Sequence, residues 1–151
     1  MNQLTWHCKT FADLSGAEMY AILRLRNEVF VVEQNCIFQD ADNMDQHCYH
    51  LMGWVSNELA AYTRLVPKGV AYNYPSIGRV VTSPKYRGRA FGKQLMHQSI
   101  KKCNELFGVE TLKIGAQLYL KNFYESLGFV QAGEVYDEDG INHIHMLRDA
   151  G

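Results

Sequence analysis

The sequence predicts an α/β domain, one sheet with helices on its faces, and three features carry that prediction. Short runs rich in β-branched residues, such as SIGRVVTSP (76–84), alternate with longer stretches of helical spacing. One such stretch, from Gly92 to about Phe107, places Leu95, Met96, Ser99, Ile100, Cys103 and Leu106 on one helical face. Turn signals at Ser56-Asn57 and Asp139-Gly140 separate strand-like runs, the usual mark of antiparallel neighbours.

Taken in order, TWHCKTF reads as a first strand. LSGAEMYAILRLRNEVFVVEQ reads as a helix whose start is signalled by Ser15 at the N-cap and Glu18 three residues later, a capping box, with Leu14 and Met19 in staple positions. Met19, Ile22, Leu23, Arg26 and Phe30 mix a core face with long polar neighbours, as on a helix lying against a sheet. HLMGWVSNELAAYTRLVP gives two strands about Ser56-Asn57, and SIGRVVTSP a further strand that Pro84 ends. Gly108 is placed to stop the helix that follows. VETLKIGAQ is a strand, LYLKNFYESLG a short helix ending at Gly128, and FVQAGEVYDEDG with INHIHMLRD a closing strand pair.

At 151 residues, 47% apolar and 21% charged, the chain reads as one soluble domain over residues 1–151. Fifteen basic against sixteen acidic residues leave a net charge of −1, which argues against a nucleic-acid partner. No apolar run approaches the roughly 20 residues that span a bilayer, so no membrane partner is expected. MNQLTWHCKTF lacks the apolar core of a signal peptide, and the expected location is cytoplasmic. Cys8, Cys36, Cys48 and Cys103 form no C-x-x-C pair and are expected as free thiols.

The chemistry-bearing stretch is VVTSPKYRGRAFGKQLM (80–96), a strand, a basic turn and a helix start. A helix N-terminus exposes unpaired N–H groups and partial positive charge, which favour an anion. Gly88 and Gly92 permit close backbone approach, and Arg87, Arg89 and Lys93 add charge. Neither G-x-x-x-x-G-K-[ST] nor G-x-G-x-x-G is present.

Arg87-Gly88-Arg89-Ala90-Phe91-Gly92 resembles the [QR]-x-x-G-x-[GA] acyl-CoA loop of the GNAT N-acetyltransferase superfamily, with Ala90 where glycine is usual. FYESLGF (123–129) is similar to that family's FYxxxGF element, and Gln117 stands where it often has asparagine. RNEVFVVEQNCIFQDADNMDQHCYHL, IGRVVTSPKYRG, IGAQLYLKNFYESLGF and GEVYDEDGINHIHM resemble the ElaA branch, over most of the chain. The resemblance implies the GNAT fold, with a mixed, mostly antiparallel central sheet flanked by helices. It implies acetyl-CoA as cosubstrate, with Val80, Val81 and Thr82 beside the pantetheine arm, Arg87, Gly88, Arg89, Ala90, Phe91, Gly92 and Lys93 around the pyrophosphate, and Gln117 in the cofactor site. At Ala90, a backbone needing positive φ would be strained and a helical entry would not; the alanine is expected to be tolerated, with the effect on cofactor binding left open.

Acetyl transfer to an amine needs a base for the amine, donors for the oxyanion and an acid for the departing thiolate. The resemblance implies the acid role for Tyr124, whose plain alternative is a core aromatic. Many family members carry a glutamate on the strand before the loop, and SIGRVVTSP has none. Glu33, at the end of the first helix, is the expected base, with His50, His143, His145 or a water chain as alternatives. Asp40, Asp42 and Asp45, with Asp137, Glu138 and Asp139, are expected to rim the acceptor pocket and attract a cationic amine on a small molecule or peptide. No metal is expected, because the acidic loop lacks the glycine and glutamate of a calcium loop and Cys36, His47, Cys48 and His50 lack zinc spacing. A non-catalytic acyl-CoA-binding or sensing module is the alternative function. A monomer or homodimer fits equally, an edge strand or the terminal hairpin offering the contact.

Overall fold

The computed structural model describes residues 3–150; the termini of the expected 1–151 domain lie outside the described residues. Among the described residues eight strands form one sheet in the order β1-β2-β3-β4-β5-β8-β6, with β7 also on β8. They are β1 (Thr5–Thr10), β2 (Tyr49–Val55), β3 (Glu58–Val66), β4 (Ser76–Thr82), β5 (Leu112–Gln117), β6 (Val130–Gln131), β7 (Tyr136–Glu138) and β8 (Ile141–Arg148). Only β4 and β5 run parallel, so the sheet is mixed and mostly antiparallel. Among the described residues three α-helices accompany it: α1 (Gly16–Arg26), α2 (Phe91–Phe107) and α3 (Lys121–Glu125).

Successive strand residues point to opposite faces, and here both faces are covered. Leu51 joins a core with Leu95, Met96, Ile100 and Cys103 of α2, while its neighbour Met52 joins Ile22, Leu25 and Val29 under α1. Burying each large apolar side chain contributes roughly 1.5–3 kcal/mol. The sheet is therefore a middle layer, with α1 on one side and α2 and α3 on the other.

Helix α1 starts where the sequence places it. Ser15 Oγ accepts the Glu18 N–H at 3.0 Å and Glu18 Oε1 accepts the Ser15 N–H at 2.8 Å. The helix does not stay regular: after Arg26 it widens into a π-helix over Asn27–Glu33. Such widening is frequent at functional sites, and this segment brings Phe30, Glu33 and Gln34 to the cleft described below. A second departure lies near the C-terminus. FVQAGEVYDEDG is not one strand but β6 and β7, parted at Gly133, whose φ of +147° breaks the extended chain. Asp139 and Gly140, at φ +54° and +83°, make the turn from β7 into β8.

Candidate active site

β4 and β5 share a single paired position, Ser76 with Lys113, and then diverge. The cause is visible in the pairing of β3 with β4. Tyr62 faces Val81 and Arg64 faces Gly78, so β4 carries one residue more than β3 across that span. The extra residue forms a bulge, with Arg79 at φ +48°. Beyond it the β5-facing main chain of β4 finds no ladder partner, and a cleft of about 610 Å³ opens between the strands. Val80, Val81 and Thr82 line one wall; Ile114, Gly115 and Gln117 line the other, with Tyr124 from α3.

At the mouth of this cleft the chain turns through Pro84–Tyr86 and enters α2. Ala90 is the N-cap and sits in the left-handed region at φ +59°, ψ +23°. The alanine therefore takes the strained conformation rather than a helical entry. Its carbonyl already accepts the first helical bond, from Gln94 N–H at 3.2 Å. The first-turn N–H groups of Phe91, Gly92 and Lys93 have no partner earlier in the helix. Arg87 and Gly92 line the cleft. Gly88, Arg89 and Lys93 are exposed beside it, the Arg89 guanidinium lying 5.4 Å over the Tyr86 ring. The Phe91 side chain is buried with Val55, Ala60 and Tyr86, so it can offer this site only its main chain.

The end of the π-helix straps across the cleft. Glu33 pairs both carboxylate oxygens with Arg87, Oε2 to Nη1 and Oε1 to Nη2, each at 2.6 Å. Those hydrogen bonds hold the Glu33 carboxyl below its ordinary range. Next to it, Gln34 and Gln117 exchange side-chain amide bonds at 3.2 Å in both directions. Glu33 thus lines the cleft, but engaged as an ion pair with Arg87 at the end nearest α2, which weighs against its serving as a base. Tyr124 is 5% exposed and packs edge-on to Phe123 and Phe129. Burial raises its phenol above the ordinary value, which favours the protonated form, and it lines the cleft.

The histidines separate by setting. His50 is fully buried, with Nε2 2.9 Å from the Asp45 carbonyl and Nδ1 2.6 Å from the Tyr62 hydroxyl. A carbonyl only accepts, so Nε2 carries the hydrogen and Nδ1 takes the tyrosine's; both nitrogens are engaged. His145 packs against Tyr72 and Tyr136. His143 alone of the three lines the cleft, with Glu138, Asp139 and Ile141 nearby.

The acidic loop departs most from expectation. Asp40, Asp42 and Asp45 do not present free charge to an acceptor; they are matched by Arg26, Arg64 and Arg79. Arg26 donates to Asp40 Oδ2 at 2.7 Å and Asp45 Oδ1 at 2.8 Å, and Arg64 grips Asp42 with two bonds at 2.8 and 2.9 Å. Arg79 Nη2 donates to the Asp40 carbonyl at 3.0 Å. Its Nε lies 2.8 Å from Asp40 Oδ1, close enough for attraction although not aligned as a hydrogen bond. Burial pushes the Asp42 carboxyl up, but the Arg64 bonds and charge outweigh it and bring it down to about 2. The network instead anchors the loop that carries Cys36 and Phe38, two cleft residues that sequence reasoning missed. No cluster of three or more metal-ligating side chains occurs among the described residues, nor does any helix long and apolar enough to cross a membrane.

The chain resembles known proteins along nearly its whole length. The Acetyltransferase (GNAT) domain family matches residues 18–149. Protein ElaA of Escherichia coli K12 is 41% identical over 148 residues, 97% of each chain. The crystal structure of E. coli ElaA superposes with a TM-score of 0.90 at 40% identity, covering 97% of this chain and 99% of that one. An acyl-CoA N-acyltransferase from Pseudomonas aeruginosa reaches 0.92 at 43% identity, covering 96% and 99%. A GNAT family acetyltransferase from Elizabethkingia anophelis, solved with acetyl-CoA bound, shares the fold at a TM-score of 0.66 and 17% identity over 99% of both chains. With a family match across most of its length and ElaA similar from end to end, the chain belongs to the GNAT acetyltransferase family.

Proposed function

We propose that the protein transfers an acetyl group from acetyl-CoA directly to an amine within a ternary complex. The observation that carries this is the union of two unpaired main-chain surfaces in one cleft: the β4 edge freed by divergence from β5, and the donors at the α2 N-terminus. A diphosphate suits the second, with Arg87, Arg89 and Lys93 beside it. The amides of a pantetheine arm suit the first, along Val80, Val81 and Thr82, and Gln117 faces them from β5. The residues present therefore fit acetyl-CoA as cosubstrate.

Tyr124 is the acid. A buried phenol keeps its proton at neutral pH and gives it to the thiolate as the carbon–sulfur bond breaks. No cysteine nucleophile is required, because the amine attacks the thioester itself. Tyr124→Phe keeps the ring and removes the proton. Thiol release with a working acceptor is expected to fall roughly 10²-fold, while acetyl-CoA affinity by calorimetry is unchanged. Equal turnover in the two proteins removes Tyr124 from the reaction.

The second reading, an acyl-CoA-binding or sensing module, draws on the absence of a carboxylate on β4 and on Arg87 already being engaged by Glu33. Thiol release over a panel of polyamines, amino acids, aminoglycosides and peptides separates the two. Acetyl-CoA binding without release by any acceptor favours the sensor.

A further inference from the structure

An ammonium must lose a proton before its nitrogen can attack a thioester, so the transfer proposed above needs a base in the cleft with a lone pair to spare. Glu33 has both oxygens on Arg87, His50 has both nitrogens engaged, and His145 is absent from the cleft lining. His143 meets the requirement. Its Nδ1 lies 2.7 Å from the Ile141 carbonyl, which can only accept, so in the neutral ring Nδ1 carries the hydrogen and Nε2 the lone pair. Nε2 stands 3.5 Å from Glu138 Oε2.

The ring is held on several sides. Tyr136 of β7 stacks on it at 5.7 Å, Gln117 of β5 is its register partner, and His145 lies two residues along β8. The turn bearing Glu138 and Asp139 is tied to the far wall by Cys36, whose thiol donates to the Asp139 carbonyl at 3.1 Å. Two carboxylates, Glu138 and Asp139, thus flank this part of the cleft, and neither forms an ion pair with a lysine or arginine among the described residues.

We propose that His143 is the general base of the acetyl transfer, that Glu138 steadies the imidazolium it becomes, and that the acceptor is a cationic primary amine drawn in by Glu138 and Asp139. This rests on the acetyl-transfer reading. His143 Nε2 takes one proton from the ammonium, and the freed nitrogen lone pair adds to the thioester carbonyl carbon. As the carbonyl re-forms, the carbon–sulfur bond breaks and the departing sulfur takes the Tyr124 proton. The second nitrogen proton returns through water to the phenolate. His143 gives its proton to solvent, so one ammonium and one thioester become one amide, one thiol and one proton.

The test is the pH profile of kcat/KM for thiol release with the best amine of the panel, read beside acetyl-CoA affinity. In the unaltered protein the rate is expected to show an acid limb, because a protonated imidazole cannot take the ammonium's proton. His143→Gln is expected to lower the rate by roughly 10²-fold or more, to abolish that acid limb and to leave acetyl-CoA affinity unchanged. Added imidazole should restore part of the rate to His143→Ala. Glu138→Gln, on an exposed side chain, keeps the test sound if the His143 variants fail to fold: its acid limb should move to lower pH. His143→Gln keeping both rate and limb, or an unmoved limb in Glu138→Gln, overturns the assignment while acetyl transfer stands. Acetyl-CoA binding without turnover of any amine by the unaltered protein overturns the transfer and the base together.

Discussion

Replacing Asp45 with asparagine keeps the side chain's shape and removes one of three negative charges facing three guanidiniums. Asp45 Oδ1 accepts from Arg26 at 2.8 Å and from Arg64 at 3.0 Å, and those arginines are 0% and 4% exposed. An arginine cannot shed its proton, so the excess charge stays buried. Breaking one side of such a pair costs about 3–5 kcal/mol; the amide oxygen still accepts one bond, which puts the expected loss near 3 kcal/mol. With a urea slope of about 2 kcal/mol per molar, the unfolding midpoint should fall by roughly 1.5 M. A loss below about 1 kcal/mol, the size of an exposed pair, would show that water screens the network and would refute the reasoning. Acid probes the same groups. Asp42 and Asp45 are held below the ordinary carboxylate range in the fold. Their contribution is complete above the unfolded value near 4 and is lost as pH falls toward about 2, where Asp42 titrates in the fold. Because the loop bearing Cys36 and Phe38 hangs on this network, the acceptor KM of Asp45→Asn should rise more than that for acetyl-CoA.

Three further substitutions probe the cofactor end. A Cβ on Gly92 would come no closer than 3.9 Å to its nearest neighbour, Phe123 Cζ, so Gly92→Val should fold; calorimetry should show acetyl-CoA affinity down about tenfold or more as the side chain fills the cleft mouth, and no loss would refute the loop assignment. Ala90→Gly relieves about 1–2 kcal/mol of left-handed strain and gives back roughly 0.4–1 kcal/mol in unfolded-chain freedom. The urea midpoint should rise slightly with cofactor affinity little changed, since the alanine already holds the turn a glycine would; a lowered midpoint contradicts the strain. Glu33→Gln frees Arg87 from an opposing charge, so acetyl-CoA should bind more tightly with kcat unchanged. A large fall in kcat would instead return Glu33 to the base role.

What the sequence shows well is local. The capping box of α1, the apolar face of α2, its stop at Gly108 and the basic turn at Arg87 all lie within a few residues of their partners. What it hides is pairing at a distance. Arg26 meets Asp40 across 14 residues, Arg64 meets Asp42 across 22, and Arg87 meets Glu33 across 54. An acidic run looks the same in a sequence whether it is solvated or neutralised. One signal was available: Arg26 lies one turn beyond Ile22 on the core face of α1, and a guanidinium there needs buried carboxylates. Neither the bulge at Arg79 nor the widening after Arg26 has a sequence mark of its own, since both depend on what the strand or helix packs against.

The buried charges and the cleft belong to one construction. Left-handed backbone at a residue with a side chain costs about 1–2 kcal/mol, and arginine has no local feature that offsets it. At Arg79 the offset comes from long range: its guanidinium reaches Asp40 and Asp42 and covers the Phe38 ring at 5.7 Å. The bulge that Arg79 forms lies where β4 parts from β5, and that parting opens the main-chain surface on which the proposed cosubstrate lies. Apolar side chains of equal volume could match the network's stability. They would supply nothing to hold Arg79 in its left-handed turn. Without that hold, β4 can relax toward a regular ladder with β5, and the cleft narrows along the surface proposed for the cosubstrate.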